Sequence, residues 1–249
     1  MKRMAWIGIA ALAALGMPAR AEVRDAKADV IAAAKKLGEA ANYSWTSTPK
    51  SEGAGGGGGQ NRMQPGPTEG KTEKDGFTML STKLGETATE SVLKGDKIAV
   101  KTAEGWKSAA DFTGGAGGRR DPAAFAARAL RTFKAPAAQL EALAEKTREL
   151  KSEEEGVYSS ELTEEGAKEL LSFGGRPGGG GQAPAVADPK GSLKVWVKDG
   201  LVSKYEVAVS GKITFGQREI AINRTTTTEI KEVGSTKVEV PEEAKAKLQ

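Results

Sequence analysis

The 249-residue chain carries 37 Lys and Arg against 33 Asp and Glu, a formal excess of +4, and contains neither histidine nor cysteine. Those two missing residue types exclude disulfides, thiolate metal sites, a lipid-modified N-terminal cysteine, and Ser-His-Asp or Cys-His catalysis. No catalytic residue, metal ligand set or cofactor site is indicated, and so small and evenly spread a charge excess gives no footprint for nucleic acid.

The chain opens MKRMAWIGIAALAALGMPARAEV, with Lys2 and Arg3 ahead of an apolar run and Ala19-Arg20-Ala21 after it. This pattern predicts a secretory signal peptide over 1–21, cut near Ala21, and a periplasmic or secreted protein from 22 to 249. The run is too short to span a membrane, and no later segment is apolar for long enough, so the mature chain is expected to have no integral membrane span. Cleavage also removes Lys2, Arg3 and Arg20, which leaves a net charge near +1.

Residues 25–41 place Val30, Ile31, Ala34, Leu37 and Ala41 at helical spacing, and NYSWTSTP follows as a strand ended by Pro49. The glycine- and proline-rich stretch 51–74 reads as a flexible insertion, as do 113–120 and 174–191. Between them, GFTMLSTKLG, ETATESVLKG, DKIAVKTAEG and GWKSAADF form short extended runs whose turn signals recur as in an antiparallel meander.

Asp121-Pro122 marks a helix start whose stripe is Phe125, Ala129, Leu130 and Phe133. Pro136 opens another helix with Leu140, Leu143, Thr147 and Leu150. A strand is expected around Val157, then a short helix capped by Thr163.

In SLKVWVKDGLVSKYEVAVS, residues 192–210, Leu193, Val195 and Val197 alternate with Lys194, Trp196 and Lys198. Tyr205, Val207 and Val209 then alternate with Lys204, Glu206 and Ala208. Asp199-Gly200 supplies the positive backbone angles of a two-residue hairpin turn. The remaining chain suggests three more strands, with Ile220 and Ile222, then Val238 and Val240, on their apolar faces, before Pro241 opens a final helical turn. Strands and helices do not alternate regularly. The fold class is therefore α+β, a single curved antiparallel sheet covered by several helices, with long glycine-rich loops.

An N-terminal helix leading into a Tyr/Trp strand, the element EGWKSAADF, a mid-chain helical segment and the ending GSLKVWVKDGLVSKYEVAV...TTTTEIKEVGSTKVEVPEEA together resemble the half-barrel lipoprotein-carrier superfamily. That superfamily includes the bacterial LolA-like lipoprotein localisation factors and the mycobacterial lipid-binding LppX/LprG-like proteins. The resemblance implies a half-barrel closed by helices around an apolar cavity for acyl chains. The anchoring cysteine common in the LppX/LprG-like members is absent here, and the glycine-rich insertions match no pattern of theirs.

Three functions compete. The first is an exported, soluble carrier or receptor for a lipid, lipoprotein or other apolar ligand, lined by Tyr43, Trp45, Phe77, Met79, Leu193, Val195, Val197, Val207 and Val209. Its partners would be lipid or lipoprotein acyl chains, with an envelope protein as a second. Against it stands a non-catalytic envelope interaction module in which the same residues form a filled core. Catalysis is the weakest of the three, because the acids at Glu153-Glu154-Glu155 and Glu242-Glu243 are adjacent along the chain and expected to be solvated.

Overall fold

The computed structural model describes residues 25–52, 65–84, 87–112, 121–172, 185–215 and 218–249. The expected signal peptide, the glycine tract 53–64 and the stretches 113–120 and 173–184 lie outside the described residues.

Helix α1 spans Ala26–Glu39, with the side chain of Asp25 accepting from the Lys27 N–H as its cap. Its inner face is small and apolar: Val30, Ala33, Ala34 and Leu37 are buried. Six strands follow: β1 (Asn42–Ser51), β2 (Pro65–Glu73), β3 (Thr78–Leu84), β4 (Thr87–Lys94), β5 (Lys97–Thr102) and β6 (Gly105–Ser108). A helical segment comes next, α2 (Pro122–Ala129) and α3 (Pro136–Glu145), then β7 (Lys151–Glu154), β8 (Val157–Glu161) and α4 (Glu164–Leu171). Strands β9 (Ala185–Lys198), β10 (Leu201–Phe215) and β11 (Arg218–Lys231) complete the sheet, and α5 (Glu242–Ala246) ends the chain.

All eleven strands form one antiparallel sheet in the order β6-β5-β4-β3-β2-β1-β11-β10-β9-β8-β7. The sheet is curved and open, a half-barrel with β6 and β7 as its free edges. Every neighbouring pair is consecutive in the chain except β1 with β11, which joins the meander β1–β6 to β7–β11.

Helices α1 and α4 pack closest on β9 and β10, and α2 on β4 and β5. Together with α3, which packs on α1, they cover the concave face and bury Leu93, Ile98, Val100, Leu140, Leu143, Leu193, Val195, Val202 and Tyr205 in one core. A second, smaller core lies on the convex face. There Val92, Ala99 and Trp106 meet Ala244 and Leu248 from the C-terminal segment.

Five expectations need correction. The segment 65–73 is a strand in the middle of the sheet, paired with β1 and β3, and not a loop. Its low apolar content is accounted for by Trp45, whose indole lies where a Cβ at Gly70 would sit. Residues 185–191 likewise belong to β9.

Pro49 does not end β1. Pairing with β2 stops at Ser47 while pairing with β11 continues to Ser51, so Pro49 stands where β1 is an edge on one side and a missing N–H is tolerated.

The stripe of α2 is turned over within Pro122–Ala129, whereas Leu130 and Phe133 just beyond it pack on the core as expected. Ala123, Ala124, Ala126 and Ala127 are buried, whereas Phe125 is 46% exposed, because small residues let the helix sit close to β4 and β5. Finally, Val238 and Val240 are not in a strand; Val240 packs onto the convex core as the chain crosses to that face.

Candidate functional site

The concave face has a packed end and an open end. Along β1, Tyr43 and Trp45 are buried, Ser47 and Pro49 half-buried, and Ser51 exposed. On β11, Ile230 and Thr228 are buried, Thr226, Arg224 and Ile222 half-buried, and Ile220 is 36% exposed. The strand period of two places these residues on one side, and the register sets Trp45 beside Ile230 and Pro49 beside Thr226. On β2 the same gradient runs from buried Thr72 and Gly70 to half-buried Thr68.

At the packed end Trp45 stacks on Phe133, with ring centroids 6.0 Å apart and an interplanar angle of 18°. Its indole Nε1 donates to Thr72 Oγ1 at 3.2 Å. Tyr205 is 1% exposed and donates its hydroxyl to Gln139 Oε1 at 2.5 Å, which ties β10 to α3. Burial pushes the phenols of both Tyr205 and Tyr43 above the usual tyrosine range. Lys36 of α1 donates to the Asp199 carbonyl at 3.1 Å, so the β9–β10 turn is fixed to the helix layer.

At the open end the lining is hydroxyl-rich and apolar. Ser47 and Thr228 share a hydrogen bond of 3.1 Å, and Thr68 donates to Thr82 at 3.2 Å. Beside them Val207 and Ile222 pack, half-buried, against Leu171, Val209 and Ile213. Charge is segregated by face: the lysines and glutamates of β3, β2, β1, β11 and β10 take convex positions in the register. Among the described side chains of these strands, Arg224 is the one charged group on the concave side.

Seven of the nine nominated residues share that face. Tyr43, Trp45, Leu193 and Val195 are buried at its packed end, Val197 and Val207 are half-buried, and Val209 lies beneath α4. Phe77 and Met79 do not join them. They pack on the convex core with Val92 and Trp106, because Met79 alternates with Leu80, which faces the concave side.

Sequence reasoning missed Arg224 and Phe133 as site residues. The alternation Ile220, Ile222, Arg224, Thr226, Thr228, Ile230 carried the signal for Arg224. Periodicity puts Phe133 on the core side of a helix from Pro122, but α2 ends at Ala129, so its partner Trp45 could not be inferred.

Two open grooves lie away from these residues. One, of about 530 Å³, runs between β4–β6 and the start of α2 and is lined by the Lys101–Glu90 and Lys107–Glu104 ion pairs. The other, of about 350 Å³, separates α1 from α3. The acid run at 153–155 is a surface feature: Glu153 pairs with Lys194 at 2.6 Å, which holds its carboxyl below the usual carboxylate range. No group of three or more metal-ligating side chains occurs among the described residues, and no described helix is long and apolar enough to cross a membrane.

No family model matches the chain, and no curated protein matches it. Among solved structures it is similar to LprF from Mycobacterium bovis, at 12% identity over 88% of this chain and 97% of that one, with a TM-score of 0.45. It is also similar to the lipoprotein LppX from Mycobacterium tuberculosis, at 9% identity over 87% and 98%, with a TM-score of 0.47. At such identities and TM-scores these are distant likenesses, so the functional reading stands on the chain's own residues.

Proposed function

We propose that this protein is an exported carrier or receptor that holds a lipid, a lipoprotein acyl chain or another apolar ligand on the concave face of its half-barrel. The observation that carries this reading is the open end of that face, where Val207 and Ile222 are half-buried and Ile220 is 36% exposed, next to a helix-covered core. Burying each methylene of an acyl chain there is worth about 0.8 kcal/mol, so a ligand of this kind needs few polar partners. The packed end is already filled by side chains. A long chain would enter at the open end and displace Phe133 from Trp45 to reach further. The reading contains no catalytic step.

A second reading, an envelope interaction module with a filled core, is favoured by the complete burial of Leu193, Val195 and Tyr205. Native mass spectrometry of residues 22–249, purified from the periplasm without detergent and then extracted with organic solvent, separates the two. A discrete adduct that extracts as lipid is the expected result. An apo mass that stays unchanged after incubation with envelope lipids would overturn the carrier reading in favour of the module.

A further inference from the structure

The register brings a line of hydroxyls together across the concave face. Reading across β4, β3, β2, β1, β11 and β10, the aligned residues are Thr89, Thr82, Thr68, Ser47, Thr228 and Tyr205. The line divides the row of Leu80, Trp45 and Ile230 at the packed end from the half-buried Pro49, Thr226 and Val207 at the open end. Valine would serve strand formation as well at the threonine positions, and a hydroxyl on a part-buried face is costly unless it is hydrogen-bonded.

Most of the line meets that need internally. Ser47 bonds Thr228 at 3.1 Å, Thr68 donates to Thr82 at 3.2 Å, and Tyr205 donates to Gln139. Thr89 does not. It is 6% exposed, its hydroxyl has no hydrogen-bond partner among the described residues, and it borders the groove of about 530 Å³ at the start of α2. The hydroxyl is not sealed in protein, so it opens to that groove. Charges around the groove are already matched: Lys101 with Glu90, Lys107 with Glu104, and Asp121 with the first turn of α2. A ligand therefore meets a neutral donor at Thr89, beside the apolar surface of Pro122 and Ala123.

We propose that Thr89 binds an uncharged carbonyl oxygen of the ligand, in an ester or an amide with apolar chain on either side of it. Thr89 Oγ1 donates to the carbonyl. One chain lies against Pro122 and Ala123, and the other extends across the concave face towards β1. This rests on the carrier reading and adds a polar group to the ligand and a place for it on the sheet. The opposing possibility is that Thr89 only forms strand and turns its hydroxyl to water.

The test measures binding of three probes of equal chain length to residues 22–249: octyl octanoate, N-octyloctanamide and heptadecane. Thr89→Val, which keeps the shape and removes the hydroxyl, should weaken the ester and the amide roughly three- to tenfold, the range of one neutral hydrogen bond, and leave heptadecane bound as before. Thr225→Val, on the convex face, should change none of the three. A loss confined to the ester or to the amide supports the assignment and names the carbonyl that the site takes. Equal effects of Thr89→Val on all three probes, or no effect on any, would overturn the assignment alone. Failure of every probe to bind the unaltered protein overturns the carrier reading, and the assignment with it. Should Thr89→Val not fold, infrared spectra of carbonyl-labelled octyl octanoate on the unaltered protein still decide: a carbonyl stretch lowered from its position in alkane is expected, and an unshifted one contradicts the bond from Thr89.

Discussion

Single atoms decide the packed end of the concave face. Trp45 lies across Gly70, and a methyl group at that position would occupy the space of the indole. Gly70→Ala is therefore expected to destabilise the protein by about 1–3 kcal/mol, seen as a lower urea midpoint with altered Trp45 fluorescence. Tyr205 gives a pH prediction. Its phenol titrates above the ordinary value of 10.0 because burial disfavours the phenolate, and Tyr43 shifts the same way. The unfolded chain thus releases these protons first as pH rises. The stability they contribute is fully present below pH 10, the ordinary value, and is lost above it as pH climbs towards the folded values. Alkaline unfolding should be steep above pH 10, and Tyr205→Phe should make it shallower while costing about 1 kcal/mol at neutral pH through the lost bond to Gln139.

Elements were legible where local chemistry is self-sufficient. Asp199 and Gly200 take φ of 54° and 73°, as the two-residue turn requires. Asp121 and Thr163 accept from the N–H groups of Ala123 and Gly166 and so cap α2 and α4. Thr163→Ala should cost about 1 kcal/mol and raise amide exchange in the first turn of α4, measured by mass spectrometry.

What was not legible depends on partners elsewhere in the chain. Strand β2 looks like a loop because its glycine serves Trp45 on another strand. The alanine face of α2 is inside because the helix must approach the sheet closely. The alternation at 77–80 shows that Phe77 and Met79 oppose Leu80 in sense, but not which side of the sheet the helices occupy. Candidate lining on β9 and β10 was readable to that same limit: alternation located the face, and tertiary packing divided it into a filled end and an open one.

At the scale of the molecule, the half-barrel is covered on both sides, by α1–α4 within the curve and by the C-terminal segment outside it. Leu248 is 4% exposed and packs with Trp106 on the convex face. Leu248→Ala should cost about 2–4 kcal/mol and expose Trp106 to quencher, leaving the proposed binding of an apolar ligand on the other face unchanged. Loss of that binding in step with stability would show that the two faces are coupled.

The join between β1 and β11 sets the order of events in folding. Within each half the paired strands are consecutive in the chain, whereas the seam aligns Ser44 with Lys231 and Ser51 with Arg224, residues from opposite ends of the folded chain. Contacts so distant along the chain must meet a large loop-closure cost before they return any stability. Strand pairing within each half is therefore expected to precede zipping of the seam, so a destabilising change at the seam should speed unfolding more than it slows folding in stopped-flow measurements. The same strands carry Trp45 and Thr226, so the concave face proposed to hold the ligand comes into existence only when the seam closes.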